Sequence, residues 1–290
     1  MSFEEVLPNI YVLKVPFGIV WTGIVLIRGE KTFLIDSSHE EPELHLLPAL
    51  AELGLKVQDI DWLLNTHCHG DHIGGHHTLV TKYGLKTAVI QEGVESLRDP
   101  AKVAIRIRTK FPEDSPPPQS YLKGVEPDKV LAEGEWLENR LTPIWTPGHE
   151  ADCVCWYDRE TKAVFTGDSL QANGTPTQGV GFYQSLSDYR RSLAKLRAHT
   201  EIENIVCGHD YVGMGDVIRG RAGVVRALDV CDDLVKLYGE KLAEYAQSTT
   251  DVSTLTDRLI DEVGCGRPEK RFLALYTVTE HLAERANGKI

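Results

Sequence analysis

The chain has 290 residues, 42% of them hydrophobic, so it is long enough to bury one large core or two smaller ones. Its net charge of −12 argues against binding nucleic acid through a basic surface, and no apolar run approaches the ~20 residues of a membrane helix. The first residues lack the basic start of a signal peptide, and the six cysteines do not form a disulfide framework at this length. We therefore expect a globular cytoplasmic protein with no nucleic-acid or membrane partner.

The first half of the chain alternates the apolar patterns of short strands and helices. Strands are predicted at 9–15, 23–28, 32–36, 60–64 and 87–91, and helices at 41–53 and 74–83. Gly54 stops the first helix, and the prolines at 116–118 mark a long irregular segment on the surface. This alternation predicts an α/β fold.

A similar alternation begins again in the second half. Strands are predicted at 144–146, 153–157, 163–166 and 202–207, with a helix at 187–198. From residue 221 the pattern is helical only, with helices predicted at 221–246, 250–264 and 268–286. We therefore divide the chain into an α/β domain at 1–220 and a helical region at 221–290.

The most unusual segment is Asn65-Thr66-His67-Cys68-His69-Gly70-Asp71-His72, directly after the predicted strand at 60–64. It places three imidazoles and one carboxylate within six positions, a concentration of polar groups that suits a metal site. Cys68 lies between two of the histidines. Because neighbouring side chains on an extended chain point in opposite directions, we expect its thiol to face away from them.

Three further segments place polar side chains at predicted strand ends. They are Thr146-Pro147-Gly148-His149, Phe165-Thr166-Gly167-Asp168 and Val206-Cys207-Gly208-His209. Loops at the ends of strands commonly carry functional residues. Four ligand-like segments in one chain therefore predict a metal centre, and the remaining histidines, such as His76 and His281, are interpreted as ordinary core or surface residues.

With these four segments the chain resembles the metallo-β-lactamase-fold hydrolase superfamily, from about Tyr11 to His209. The resemblance implies an α/β fold with a four-layer αββα sandwich, followed by a C-terminal helical extension. It also implies the metal ligands: His67, His69 and His149 for one ion, Asp71, His72 and His209 for a second, and Asp168 as the bridge between them. Asp36 matches the first motif of the superfamily, where it braces the histidine loop.

Two metal ions held in this way supply a known chemistry. Ions about 3.5–4 Å apart can share a water, lower its pKa towards neutrality and stabilise both the attacking and the leaving oxygen. We therefore expect two divalent ions, with zinc preferred and manganese or iron as alternatives because the ligand set accepts all three. The expected nucleophile is a metal-bridging hydroxide. Asp71, the carboxylate nearest to it, is the expected catalytic residue.

The expected function is hydrolysis of a small acyl compound: a thioester, lactone, ester or amide. The helical region from residue 221 has two possible roles: a packing appendage, or a cap that shapes a substrate pocket. A cap of this kind is similar to the C-terminal helices of the glyoxalase II branch. Asp168 stands where true zinc β-lactamases of the best-known subclass carry cysteine, which argues against penicillin-type substrates. Glyoxalase II enzymes carry a Gly-Cys-Gly-Arg-like stretch where this chain reads Ser-Leu-Gln-Ala-Asn-Gly at 169–174, so glutathione thioesters are not singled out.

Two alternative activities use the same ligand set. One is a phosphodiesterase-type hydrolase. The acidic net charge and the lack of a basic run argue against it. The other is an iron-dependent oxygenase of persulfides. The sequence assigns no substrate-binding residue, and it leaves homo-oligomer formation open.

Overall fold

The computed structural model describes residues 1–18, 20–39, 41–172, 179–264 and 271–286. The first half contains strands β1 (Glu4–Leu7), β2 (Ile10–Phe17), β3 (Val20–Ile27), β4 (Phe33–Ile35), β5 (Trp62–Leu64), β6 (Thr87–Ile90) and β7 (Lys129–Leu131). Its helices are α1 (Leu46–Glu52), α2 (Gly70–Ile73), α3 (His76–Thr81), α4 (Val94–Arg98) and α5 (Pro100–Thr109). Each predicted element of this half is present, whereas β1, β7, α2, α4 and α5 were not predicted.

The second half contains strands β8 (Leu141–Trp145), β9 (Val154–Asp158), β10 (Ala163–Phe165), β11 (Asn204–Val206) and β12 (Val217–Arg219). Its helices are α6 (Leu186–Ala198), α7 (Arg221–Tyr245), α8 (Val252–Val263) and α9 (Arg271–Ala286). The predicted start of the last helix at 268, and parts of the segments 169–174 and 264–267, lie outside the described residues. Among the helices that are described, none has the length and apolarity needed to cross a membrane.

Two sheets form the centre of the fold. Strands β1 to β7 follow one another in chain order in the first sheet, and the order in the second is β12-β11-β10-β9-β8. Ile10 and Val12 of β2 share a buried cluster with Val154 and Trp156 of β9, so this cluster is the interior between the sheets. A sheet covered on both faces explains why several strands are apolar without alternation.

Helices cover the outer face of each sheet. Leu46 and Leu50 of α1 pack with Leu13 on the outer side of the first sheet. On the outer side of the second sheet, residues of α6, α7, α8 and α9 share one core with Val164 and Ile205. The order helix, sheet, sheet, helix confirms the predicted αββα sandwich with its C-terminal helices. The division into domains at residue 220 stays a prediction.

The strand directions determine where the polar segments meet. β4 pairs with β5 in parallel, and β10 pairs with β11 in parallel. β8 and β10 each pair antiparallel with β9 between them, so they run in the same direction. The loops after β4, β5, β8, β10 and β11 carry, in that order, Asp36, the 65–72 segment, His149, Asp168 and His209. Parallel strands therefore bring these loops together.

The first helix is shorter than predicted, because the chain at 42–45 forms turns and α1 begins at Leu46. Pro48 accounts for this start. It occupies the third position of α1, where its missing N–H would have no helical partner, whereas a helix from residue 41 would place it in the interior.

Candidate metal centre

The seven predicted ligands converge at the edge formed by these loops. Their ligand atoms fall into three overlapping groups: His67, His69 and His149; His67, His72 and Asp168; and Asp71, His72 and His209. Within each group the atoms lie within 4.8 Å of one another. Side chains that are up to 142 positions apart in the chain thus face a common volume small enough for metal ions.

Asp168 lies between two of these sets of imidazoles. Its Oδ1 is 3.3 Å from His72 Nε2 and 3.4 Å from His209 Nε2. Its Oδ2 is 3.4 Å from His149 Nε2. The two oxygens of this one carboxylate therefore face different groups of nitrogens, which is the geometry that a bridging ligand requires.

The ring nitrogens that face each other fit a cation between them. His72 Nε2 and His209 Nε2 are 3.1 Å apart, while the Nδ1 atoms of both rings face acceptors. A neutral imidazole carries one N–H, so rings that donate through Nδ1 direct Nε2 lone pairs at each other. His67 Nε2 is buried without a hydrogen-bond partner in the described part of the protein. Divalent cations at the two predicted sites would satisfy these three nitrogens.

Burial and charge set the protonation of these rings. Burial, with a contribution from neighbouring imidazoles, lowers the pKa of His67 well below its ordinary value. Burial also lowers the pKa of His149, to about 4. For His72, burial acts in the same direction but is outweighed by Asp36, Asp168 and Asp71, which hold its pKa well above the ordinary value. The carboxylates around His72 therefore favour positive charge at this point, which a metal ion would supply in place of a proton.

Groups behind the cluster orient the imidazoles. The Oδ1 of Asp36 accepts the Thr66 backbone N–H at 2.7 Å, and its Oδ2 lies 2.8 Å from both Thr66 Oγ1 and His72 Nδ1. His149 Nδ1 donates to the Phe182 carbonyl at 2.9 Å. Such partners fix the ring orientation and leave Nε2 for the metal. The expectation that Asp36 braces the histidine loop is confirmed.

One glycine next to a predicted ligand is required by close packing. Gly167 has φ +48°, and a Cβ at this position would lie 2.2 Å from Thr66 Oγ1. The turn that carries Asp168 can therefore approach the histidine loop only without a side chain here.

Cys68 lies outside the three ligand groups, as expected. Its side chain packs in an apolar cluster with Ile73, Val89 and Leu97. Burial raises the pKa of its thiol well above the ordinary value, so it carries no charge at neutral pH. These contacts identify Cys68 as a core residue.

Glu150 and Arg106 were missed by the sequence analysis. Glu150 follows His149, its side chain is 2% exposed, and Oε1 lies 3.9 Å from His69 Nε2. Arg106 Nη2 donates to both Glu150 oxygens, at 2.6 and 2.5 Å. This ion pair holds a carboxylate beside His69. The pattern Asp99-Pro100 would have predicted α5, because Asp99 caps the helix and a proline is favourable in the first turn.

A cavity of about 370 Å³ opens beside the cluster. His69, Asp71, His149 and Asp168 line one side of it. Apolar side chains line much of the rest: Phe17, Ala104, Ile107, Val180, Phe182, Phe272 and Leu273. The last two belong to α9, so the C-terminal helices contribute to the cavity and are not only a packing appendage.

The polar lining residues away from the cluster are Arg108, Gln119, Gln171 and Tyr211. The ring of Tyr211 stacks on His209 with ring centroids 4.6 Å apart. Arg108 is the one lysine or arginine among the described residues that line this cavity.

Comparison with known proteins identifies the family. The model of the Metallo-beta-lactamase superfamily matches residues 15–209. A protein named hydroxyacylglutathione hydrolase from Pelagibacter ubique is 30% identical over 164 residues, which cover 57% of this chain and 57% of that protein. One of the same name from Rhodopseudomonas palustris (strain BisA53) is 31% identical over 182 residues, covering 62% and 58%. The chain thus spans less than two thirds of the length of these relatives.

Solved structures share the fold over nearly the whole chain. A metallo-beta-lactamase family protein from Thermus thermophilus has a TM-score of 0.74 at 24% identity, covering 97% of this chain and 95% of that one. A beta-lactamase domain protein from Burkholderia ambifaria has a TM-score of 0.73 at 17% identity, covering 99% and 88%. These likenesses concern the fold alone. The match of the family model over residues 15–209 shows that the chain belongs to the metallo-beta-lactamase superfamily.

Proposed function

We propose that the protein is a metal-dependent hydrolase of small acyl compounds, with thioesters as the first substrates to test. The observation that carries this proposal is the convergence of seven imidazole and carboxylate side chains beside a cavity. The curated relatives support it, because the name hydroxyacylglutathione hydrolase denotes hydrolysis of an acyl derivative of glutathione. A cytoplasmic location belongs to the same proposal and is tested by cell fractionation.

In this proposal two divalent ions, with zinc expected, are held by the ligands assigned from the resemblance. His67, His69 and His149 would hold one, Asp71, His72 and His209 would hold the other, and Asp168 would serve both. When bound, such ions polarise an acyl oxygen and make a water molecule acidic. The supporting observation is the close approach of ring nitrogens, 3.1 Å between His72 Nε2 and His209 Nε2 and 3.0 Å between His149 Nε2 and His69 Nδ1.

The protein's own groups have distinct parts in the proposed reaction. Asp71 lines the cavity, where its carboxylate can orient a water molecule or accept its proton. Asp36 and the Phe182 carbonyl keep His72 and His149 in fixed orientations. The apolar side of the cavity excludes bulk water, which strengthens the electrostatic interactions inside.

The test is metal analysis of protein purified without chelators, joined to activity on thioesters, lactones and phosphodiesters. We expect two metal ions per chain, acyl hydrolysis as the main activity, and loss of that activity with a chelator. Iron content with oxygen uptake on a persulfide would instead identify an oxygenase, and preference for phosphodiesters would identify a phosphodiesterase. A single metal ion at saturation would contradict the dinuclear assignment.

A further inference from the structure

Arg108 lies in the cavity wall against an aromatic ring. Its guanidinium carbon is 4.3 Å from the ring centroid of Phe272, which belongs to α9 and lines the same cavity. Within the described residues no carboxylate lies at ion-pair or hydrogen-bonding distance of Arg108. Asp71 lines the same cavity and attracts Arg108 through space, but it too lies beyond ion-pair distance.

Other cations on the same helix are paired. Lys102 Nζ lies 2.9 Å from Asp99 Oδ2, and Arg106 Nη2 lies 2.5 Å from Glu150 Oε2. Arg108 is also half-buried, and burial lowers the pKa of its guanidinium. An arginine nevertheless stays charged at physiological pH, so this position holds a partly desolvated positive charge that the described part of the chain leaves without an anion.

We infer that Arg108 binds a carboxylate of the substrate, and that the preferred substrate is an acyl compound in which this carboxylate is joined to an apolar segment. The inference rests on the proposed hydrolase function and adds the substrate class to it. A guanidinium offers parallel N–H groups that match the two oxygens of a carboxylate, and a single arginine suits one such anion. Ile107, Phe272 and Leu273 line the same cavity and suit an apolar segment.

The charge of the whole protein makes this one arginine more important. A net charge of −12 gives a field that disfavours anionic ligands at long range. A carboxylate-bearing substrate therefore depends on local positive charge, which the cavity provides at Arg108 and at the candidate metal centre. The arginine selects among acyl compounds by the carboxylate, while the chemistry takes place at the metal centre.

The experiment uses the holoenzyme and three thioesters of similar size. Hexanoyl-N-acetylcysteamine is neutral, adipoyl-N-acetylcysteamine carries a carboxylate on the acyl half, and the hexanoyl thioester of 3-mercaptopropionate carries it on the thiol half. The measured quantity is the ratio of KM for each charged thioester to KM for the neutral one. We expect Arg108→Met to raise this ratio by about tenfold for at least one charged thioester.

Two matched variants sharpen the result. Lys102→Met removes the same charge from α5 outside the cavity, and it should leave the KM ratios unchanged. Arg108→Lys keeps the charge but not the planar fork, and it should give an intermediate ratio. The inference is overturned if Arg108→Met leaves both ratios at the wild-type value, or if Lys102→Met raises them equally.

A binding measurement separates this inference from the proposed function. If the wild-type holoenzyme hydrolyses none of the thioesters, acyl hydrolysis is wrong, but adipate binding can still be measured by titration calorimetry. Arg108→Met should then weaken adipate binding by about tenfold relative to wild type and Lys102→Met. Equal affinity of the three proteins for adipate would overturn the role of Arg108 whether or not there is turnover.

Discussion

The cavity has two sides that differ in how completely their side chains are satisfied by contacts within the protein. The ligand wall is the cluster of predicted ligands His67, His69, Asp71, His72, His149, Asp168 and His209, of which His69, Asp71, His149 and Asp168 line the cavity. The covering wall consists of Ile107, Arg108, Val180, Phe182, Phe272 and Leu273. In the ligand wall, nitrogens face nitrogens, and a buried atom of His67 has no hydrogen-bond partner among the described residues. The covering wall makes apolar and aromatic contacts, as between its Phe182 and the neighbouring Tyr276, whose ring centroids are 5.4 Å apart.

This difference has a consequence for function. The polar groups of the ligand wall are complete only with a cation, so changes there should alter metal content and rate together. The covering wall is already packed, and what it presents to the cavity is shape, apolar surface and one charge. Changes there should alter KM and the choice of substrate while the metal content stays constant.

The largest effect is expected at the carboxylate that faces both halves of the ligand wall. Asp168→Ala should lower kcat/KM at least about a thousandfold and reduce the metal content, because it removes oxygens near His72, His149 and His209. Kinetics and elemental analysis on the same sample measure both effects. Cys68→Ser is the matched control and should retain at least about a tenth of the activity, because Cys68 packs in the core.

If Cys68→Ser were as inactive as Asp168→Ala, the position of Cys68 outside the ligand groups would not describe its role. Full metal content in Asp168→Ala would show that its two oxygens do not bridge the ligand wall.

The second effect concerns the support behind the ligand wall. Asp36→Asn should lower metal affinity by about 10- to 100-fold, because an amide nitrogen cannot accept the hydrogen bonds that Asp36 receives from Thr66 and His72. Competition with a chromogenic chelator measures this affinity. Asp158→Asn makes the same chemical change at another buried carboxylate, which pairs with Arg140 at 2.9 Å. It should reduce stability without weakening metal binding, and equal metal affinities of the two variants would contradict the prediction.

The ligand wall was accessible from the sequence because its residues follow strands directly. His67, His69, Asp71 and His72 stand within eight positions after the end of β5, and Asp168 follows β10 after two residues. Local spacing and strand-end position therefore carry the information, and the family resemblance adds the grouping. That these seven side chains bind metal stays a prediction that the geometry supports.

The covering wall could not be predicted in the same way. Ile107, Phe182 and Phe272 come from distant parts of the chain and meet only because α5 and α9 pack over the same cavity. An apolar residue on a helix gives no sign of whether it faces a core or a ligand. The sequence likewise did not predict a role for Arg108, because the proposed role depends on the absence of a carboxylate partner among the described residues.

A third effect lies behind the covering wall and depends on pH. Burial lowers the pKa of His281, on α9, to about 3, and the ring is 2.6 Å from the Tyr183 hydroxyl. The unfolded chain binds this proton below about pH 6.5 while the folded chain does not, so stability falls with pH from there towards pH 3. Between pH 7 and pH 5 this one group should remove about 2 kcal/mol of the free energy of unfolding.

Denaturant unfolding of His281→Leu at both pH values measures that contribution. The variant should lose less stability than wild type between pH 7 and pH 5, by about the same 2 kcal/mol, because it has no imidazole to protonate on unfolding. Parallel losses in the two proteins would show that His281 does not make the covering wall sensitive to acid.

The smallest effect tests whether the covering wall acts on substrate choice alone. Leu273→Ala removes apolar surface from the cavity, and the ratio of KM for hexanoyl- to KM for acetyl-N-acetylcysteamine should rise by about fivefold. Leu282→Ala is the control, because Leu282 lies on the same helix but packs against the core of the second sheet. It should lower stability and leave the ratio unchanged. Metal content should match wild type in both variants. A loss of metal in Leu273→Ala would show that the covering wall also affects metal binding, and the division of the cavity into two independent walls would then be wrong.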